Sequence, residues 1–316
     1  MLVRGRGSRY ITVMTTQTQT LKIALAQLNP IVGDLSGNAE LLKQARAEAA
    51  ALGADIVVAS ELFLTGYPPE DLVLKRSFLT RVRQMVDDLV ALTADGGPAL
   101  IFGAPMIEGG QLHNSVVAAD GGQMAVRHKH HLPNYAVFDE KRLFHAGPLP
   151  APVEMRGVRL GLPICEDIWF GDVCAHLKAE GAELLVSPNG SPFERGKHDK
   201  RCAHAHARVG ETGLPLVYVN QFGGQDELVF DGGSFVMAGD GEIAVQGAVW
   251  SSDIMMTDWH CGDGVWACAP QTAATAPDDL AQIYQAAMLG LRDYVNKNGF
   301  PGVLLGLSGG IDSAIC

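Results

Sequence analysis

From Leu21 the chain runs LKIALAQL, alternating at first and then almost wholly apolar, until Asn29-Pro30 stops it; this reads as a strand. Apolar residues then recur at Leu41, Leu42, Ala45, Ala49 and Leu52, the spacing of one helix face, with Ser36 or Asn38 placed to cap it. ADIVVASEL, 54–62, predicts a second strand, Ser77–Leu92 a helix and ALIFGAPM a strand. SVVAAD and QMAVRHK, joined by Gly121-Gly122, predict a hairpin. Beyond it VRLGLPICED, AELLVSPNG and LPLVYVNQ read as strands separated by helices over Val173–Glu180 and Lys197–Thr212. LVFDGGSFVMAGDGEIAVQG reads as more β-structure with turns.

Strands outnumber helices, and tight turns join several neighbours. The fold class this predicts is α/β with mixed sheets, or a pair of sheets, rather than one doubly wound parallel sheet. The pattern divides the chain into a disordered extension over 1–20, a main domain over 21–250, a low-periodicity linker over 251–277 and the start of a second domain over 278–316. That last part opens with a helix over Asp278–Asn298 (Leu280, Ile283, Tyr284, Ala287, Met288, Leu291, Val295). Gly302–Leu307 then reads as a short buried strand, followed by Ser308, Gly309 and Gly310 before a helix start. Glycines between a strand and a helix let backbone N–H groups approach an anion.

Composition narrows the class. The 316 residues are 47% hydrophobic and 19% charged, as in a globular protein with a large core. A net charge of −11 argues against a general nucleic-acid or anionic-membrane surface. The first twenty residues carry three arginines and no acid but lack the apolar core of a secretion signal, and nowhere does an apolar run approach a bilayer's thickness. Cys165, Cys174, Cys202, Cys261, Cys268 and Cys316 form no paired framework and no CxxC, which suits a reducing cytoplasm. His128, His130 and His131 flank Lys129, and Cys202, His204 and His206 lie close together, but spacing of two along a helix turns side chains apart. No metal site is expected.

Three residues sit at strand ends. Cys165 begins CEDIWF after an apolar strand, Glu61 follows VVAS, and Lys129 lies in HKHHLPNY. Taken singly, each has an ordinary reading: a buried inert thiol, an ion-paired strand end and a surface charge.

Together they change character. VASELFLTGYPPEDL, KHHLPNYAVFDEKRLF and LPICEDIW, in that order, closely resemble the three signature regions of the nitrilase superfamily. They resemble most its glutamine-hydrolysing branch, which is fused to ammonia-dependent NAD synthetase, and VYVNQFGGQDELVFDGGS resembles that branch further. SGGIDS resembles the pyrophosphate loop of the ATP pyrophosphatases and lacks the Gly-Lys-Ser/Thr ending of a Walker loop. The resemblance implies a nitrilase-like α-β-β-α sandwich. It implies that Glu61 is the general base, Cys165 the thioester-forming nucleophile and Lys129 the oxyanion donor, with Glu140 orienting the lysine. Lys129→Met is then expected to lose activity with the fold unchanged. Tyr135, Ser191 and Lys197 match contacts to L-glutamine. Gly306, Leu307, Ser308, Gly309, Gly310, Ile311, Asp312 and Ser313 match the ATP loop, which implies ATP and Mg2+ there and no cofactor for the glutaminase part.

Deamido-NAD, a homo-oligomeric assembly and a cytoplasmic location follow from the same resemblance, with no nucleic acid and no membrane as partners. A chain that stops in this loop is expected to release glutamate without making NAD, and its segment after Asp278 to be mobile or irregularly packed. A stand-alone amidase on another small amide and a silent scaffold docked on a synthetase remain open alternatives. Other glutamine-fed ATP pyrophosphatases, such as GMP synthetase, fit poorly, because their cysteine is terminal or flanked by glycines and Cys165 is neither.

Overall fold

The structure is a computed structural model that describes residues 19–275 and 277–315. The expected extension over 1–20 lies outside these residues except for Gln19 and Thr20, which already belong to the first strand. In chain order the strands are β1 Gln19–Gln27, β2 Ile56–Val58, β3 Ala99–Glu108, β4 Gln111–Asp120, β5 Gln123–His128, β6 Val153–Met155, β7 Val158–Gly161 and β8 Leu184–Asn189. They continue as β9 Leu216–Asn220, β10 Phe222–Gln225, β11 Leu228–Asp231, β12 Phe235–Met237, β13 Ile243–Gln246, β14 Asp253–Gly262 and β15 Val265–Cys268. The helices are α1 Leu35–Ala51, α2 Arg76–Leu92, α3 Glu140–Leu143, α4 Asp172–Ala179, α5 Lys197–Thr212, α6 Asp279–Lys297 and α7 Ile311–Ile315.

Two sheets carry the architecture. One runs β15-β14-β1-β2-β3-β4-β5 and the other β13-β12-β9-β8-β7-β6. β1–β2–β3 pair in parallel, as do β7–β8–β9, while hairpins and returning strands close each sheet antiparallel. Side-chain alternation sets the layers. Ile23 and Leu25 of β1 face the other sheet, in a core shared with Val58, Ile101, Leu160, Val186 and Val219. Ala24 and Ala26, on the opposite face, meet Leu42 of α1 and lie in one cluster with Val86 and Leu89 of α2. On the far side, Leu185 and Leu216 pack under Val173 of α4 and Val209 of α5. The result is the α-β-β-α sandwich.

Several boundaries differ from the expectation, each for a physical reason. The cap of α1 is Asp34, whose carboxylate accepts from Gly37 N at 2.9 Å; Asn38 instead ties its amide to Ile31 and Leu64. The second strand covers only 56–58, because Ala59–Leu62 turn out of the sheet toward the site. The segment 251–277 is not a linker. Its residues 253–262 form β14, which pairs with β1 over nine residues, from Gln19↔Cys261 to Gln27↔Asp253, and buries Met255, Thr257 and Trp259.

α6 matches the expected helix, capped by the Asp278 carboxylate on Ala281 N. It is not irregularly packed: it lies on the β10–β11 hairpin and buries Leu289 and Asp293. Gly302–Leu307 is not a strand. The segment is exposed, and among the described residues no neighbouring strand takes its N–H and C=O groups.

Candidate active site

Glu61, Lys129 and Cys165 all come from the ends of sheet strands: after β2, directly after β5 and shortly after β7. The two sheets face each other, so three separated strand ends converge. Glu61 and Lys129 are each 1% exposed and Cys165 is 6% exposed, far from the solvated charges that single residues in loops suggest. The turn carrying Glu61 is pressed onto β3. A Cβ on Gly103 would sit 2.0 Å from Leu62 N and 2.8 Å from Glu61 Cα, so only glycine allows this approach.

Lys129 Nζ donates to Glu61 Oε1 at 2.6 Å and to Glu140 Oε1 at 2.8 Å. Glu140, on α3, also accepts from Tyr67 Oη at 2.9 Å. Gly190 N, just beyond β8, donates to Glu61 Oε2 at 2.9 Å. Asn114 Nδ2, on β4, reaches Glu61 Oε1 at 2.7 Å and Glu140 Oε2 at 3.3 Å. Burial by itself would lower the Lys129 pKa, but the Glu140 and Glu61 carboxylates outweigh it and hold the ammonium well above its ordinary range. Burial pushes Glu140 up to about 7, against the pull of Lys129.

Cys165 opens a short 3-10 turn, Cys165–Trp169, with φ of 43°. A non-glycine residue in this left-handed region carries strain on the order of 1 kcal/mol. The surrounding bonds hold it there. Asp167 accepts from Ile164 N at 2.9 Å, from His131 N at 2.8 Å and from His130 N at 3.1 Å, and so ties the cysteine turn to the lysine segment. Burial, reinforced by the Glu61 charge, raises the Cys165 thiol well above its usual pKa, so the sulfur rests protonated.

A cleft of about 630 Å³ opens at Glu166, the residue after Cys165, and is lined by His131, Tyr135, Phe144 and Phe170 among others. Tyr135 Oη donates to Glu166 at 3.0 and 3.1 Å, and burial raises the Glu166 pKa. Ser191 is buried on the other flank, its Oγ accepting from Arg201 Nε at 3.0 Å. Lys197 lies 5.0 Å over the Trp169 ring, near enough to Glu166 for its charge to act there.

The structure thus brings Glu61, Lys129, Glu140 and Cys165 into one buried cluster and sets Tyr135, Ser191 and Lys197 around it. Gly306–Ser313, a loop that runs into the first turn of α7, lies apart from this cluster and is largely exposed. Its hydrogen bonds run within the loop, with Ser308 N and Ser308 Oγ both meeting Ser313 Oγ.

Sequence reasoning missed Asn114, Asp167, Glu166, Tyr67 and Arg201. For Glu166 and Asp167 a signal existed, two acids directly after Cys165; Asn114 lies in a strand whose polar residues carry no motif. Among the described residues His130, His131 and Asp172 bring ligand-type atoms within 4.8 Å of one another. His130 Nδ1 is already bonded to Gly147 O, and His131 Nε2 to Asp172.

Glu61, Lys129 and Cys165 gathered at the strand ends of a four-layer sandwich place the chain in the class of nitrilase-type carbon–nitrogen hydrolases. Residues 22–262 match the carbon-nitrogen hydrolase family, and the chain belongs to it. Residues 283–316 match the NAD synthase family.

Glutamine-dependent NAD(+) synthetase of Rhodobacter capsulatus is 48% identical over 299 residues, which cover 94% of this chain and 54% of that protein. The corresponding Xylella fastidiosa protein is 40% identical over 94% of this chain and 55% of its own length. The chain therefore spans about half the length of the curated relatives it matches. The solved glutamine-dependent NAD+ synthetase of Acinetobacter baumannii, in complex with ADP, superposes with a TM-score of 0.86 at 37% identity, covering 94% of this chain and 56% of that one. An amidase of Nesterenkonia sp. AN1 superposes with a TM-score of 0.67 at 27% identity, over 79% of this chain and 90% of its own. That structure shows the acetamide moiety of fluoroacetamide added covalently at the active-site cysteine.

Proposed function

We propose that this chain is the glutaminase part of a glutamine-dependent NAD synthetase, hydrolysing L-glutamine through a thioester on Cys165. The observation that carries this reading is the buried cluster in which Lys129 bridges Glu61 and Glu140 beside Cys165, itself held at a φ of 43°. A thiol kept neutral by burial needs a base, and Glu61 is the carboxylate whose charge it feels most. Glu61 takes the thiol proton as sulfur attacks the side-chain carboxamide carbon. An ammonium has three N–H donors; two are spent on Glu61 and Glu140, and the third is left for the oxyanion of the tetrahedral intermediate. The proton returns from Glu61 to the leaving nitrogen, ammonia departs and the acyl group stays on sulfur. Glu61 then deprotonates water, which attacks the thioester, and the proton goes back to the thiol as glutamate leaves.

The cleft supports an amino-acid amide over a simple one. Glu166 with Tyr135 offers acceptors for an α-ammonium, and Lys197 offers a cation for an α-carboxylate. The ammonia would feed an ATP-dependent amidation of deamido-NAD, the reaction that the match of 283–316 to NAD synthase points to. Glycine amides and the Ser308 and Ser313 hydroxyls suit the phosphates of ATP, with Mg2+ as its counter-ion. A homo-oligomer belongs to the same reading.

The test is glutamate release from glutamine by the wild-type chain and by Cys165→Ala, with propionamide as the competing substrate. Release that is abolished in Cys165→Ala supports the reading. Unchanged release in that variant would overturn it, and turnover of propionamide alone would move the chain to the stand-alone amidases.

A further inference from the structure

Asn114 lies on β4 beside the catalytic lysine, and its carbonyl accepts the Lys129 backbone N–H at 2.8 Å. Its side chain is fully buried, and its amide nitrogen is shared between Glu61 Oε1 and Glu140 Oε2. The amide has one workable orientation, since turning it round would aim its oxygen at two carboxylates. We propose that Asn114 is a positioning residue for the glutaminase reaction, selecting Oε2 of Glu61 as the oxygen that takes and returns the proton. This rests on the glutaminase reading above.

The argument is a count of lone pairs. Each carboxylate oxygen offers about two acceptor sites. Oε1 of Glu61 receives Lys129 Nζ at 2.6 Å and Asn114 Nδ2 at 2.7 Å, and is full. Oε2 receives Gly190 N at 2.9 Å and keeps one site open. A proton from the thiol, and later from water, therefore arrives on Oε2. Without the Asn114 donor, Oε1 would also have an open site, and the carboxylate could turn about its last torsion, which is intrinsically soft. The lysine alone does not prevent this, because an ammonium donor follows a turning oxygen more readily than a donor held in a strand.

The second consequence is electrostatic. The amide bonds Glu61 after β2 and Glu140 on α3, and the groups that act on those two carboxylates come from the surrounding elements: Tyr67 after β2, Lys129 after β5, and Cys165 and Glu166 in the turn after β7. Lys129 is the cation among them, against several acids. A neutral donor that bonds two carboxylates favours their ionised forms. Removing it lets Glu140 hold its proton to higher pH, and the acid limb of cysteine reactivity moves upward.

Asn114→Ser keeps a small donor that reaches one carboxylate at most, and Asn114→Asp keeps the shape while replacing the donor with a third acid. Each is measured in two ways on the 316-residue chain, with folding checked by circular dichroism: kcat and KM for glutamate release, and the pH dependence of Cys165 alkylation by iodoacetamide. The expected result is a kcat lower by about 10–100-fold in Asn114→Ser at nearly constant KM, and a deeper loss in Asn114→Asp. The acid limb of alkylation should rise by about one pH unit in Asn114→Ser. If Asn114 only filled space, Asn114→Asp, the closer match in volume, would be the milder variant, and the limb would stay in place. That pattern, or a folded variant with kcat within about threefold of wild type, overturns the proposal. A wild-type chain that is alkylated at Cys165 but releases no glutamate would refute the glutaminase reading instead, and the alkylation limb would still decide the role of Asn114.

Discussion

Lys129 shows what burial adds to a motif. Its neighbours in the sequence are basic and aromatic, which by themselves suggest a surface charge, and only the resemblance of the whole KHHLPNY string pointed inward. In the structure its side chain is wholly buried between two carboxylates. Lys129→Met should lower glutamate release by about 10²–10³ in kcat, the usual effect of losing an oxyanion donor. It should also destabilise the fold by about 3–5 kcal/mol, because Glu61 and Glu140 lose their cation. Urea denaturation of the variant measures this cost, and circular dichroism checks that the fold itself is unchanged.

Glu140 makes a prediction about pH. Burial lifts it from an ordinary 4.5 to about 7, and lifts Asp167 from 3.8 to about 6. Between the ordinary and the raised values the folded state binds more protons than the unfolded one. This contribution to stability is therefore full at low pH and is lost as pH rises toward about 7. Thermal melts of Glu140→Gln should show a shallower decline over that window than wild type, and an identical slope would contradict the assignment.

At the level of elements, most of the helices could be read from spacing alone. α6 was expected at 278–298 and runs 279–297, because an aspartate cap and a regular apolar face bound it. β14 could not be read in the same way. Its buried residues Met255, Thr257 and Trp259 alternate correctly, but Asp253, Asp258 and His260 lie between and beside them, and one buried member is polar. A polar outer face on an inner strand hides the period. Thr257 is acceptable there because its hydroxyl donates to Ile23 O and accepts from Trp259 Nε1.

The close packing of β3 on the Glu61 turn gives a sharper test. Gly103→Ala places a methyl 2.0 Å from Leu62 N, where backbone must move. Glutamate release should fall by about 100-fold or more through displacement of Glu61, with Cys165 itself untouched. A Gly103→Ala variant with wild-type kcat would mean that the turn is freer than its packing implies.

α6 is anchored through Asp293, a buried carboxylate accepting from Asn29 Nδ2 at 2.7 Å and from Gly224 N at 2.8 Å. Asp293→Ala should cost about 1–3 kcal/mol, since the buried Gly224 N–H and the half-buried Asn29 amide lose their partner. Faster hydrogen exchange confined to α6 and the β10–β11 hairpin would show it.

For the whole molecule, the resemblance of three short strings conveyed the sandwich and the residues that meet in its buried cluster, whereas the join between the parts was misplaced. The carbon-nitrogen hydrolase match ends at 262, and β14 and β15 extend the sheet to Cys268. A chain cut after residue 250 would strip β1 of its nine-residue partner and open the core around Trp259 and Trp266. It should fail to give a monodisperse folded protein, while a chain cut after residue 277 keeps both sheets and should fold. Circular dichroism and gel filtration of the two truncations decide this.

The central claim is that Cys165, buried beside Glu61 and Lys129, is the nucleophile that attacks glutamine. Its most direct test is to treat the chain with an electrophilic diazo-ketone analogue of glutamine and map the adduct by peptide mass spectrometry, with and without excess glutamine. The account predicts one adduct, on Cys165, suppressed by glutamine and lost in Glu61→Gln. An adduct on Cys202 or Cys261, the half-buried thiols, with Cys165 unmodified, would contradict it.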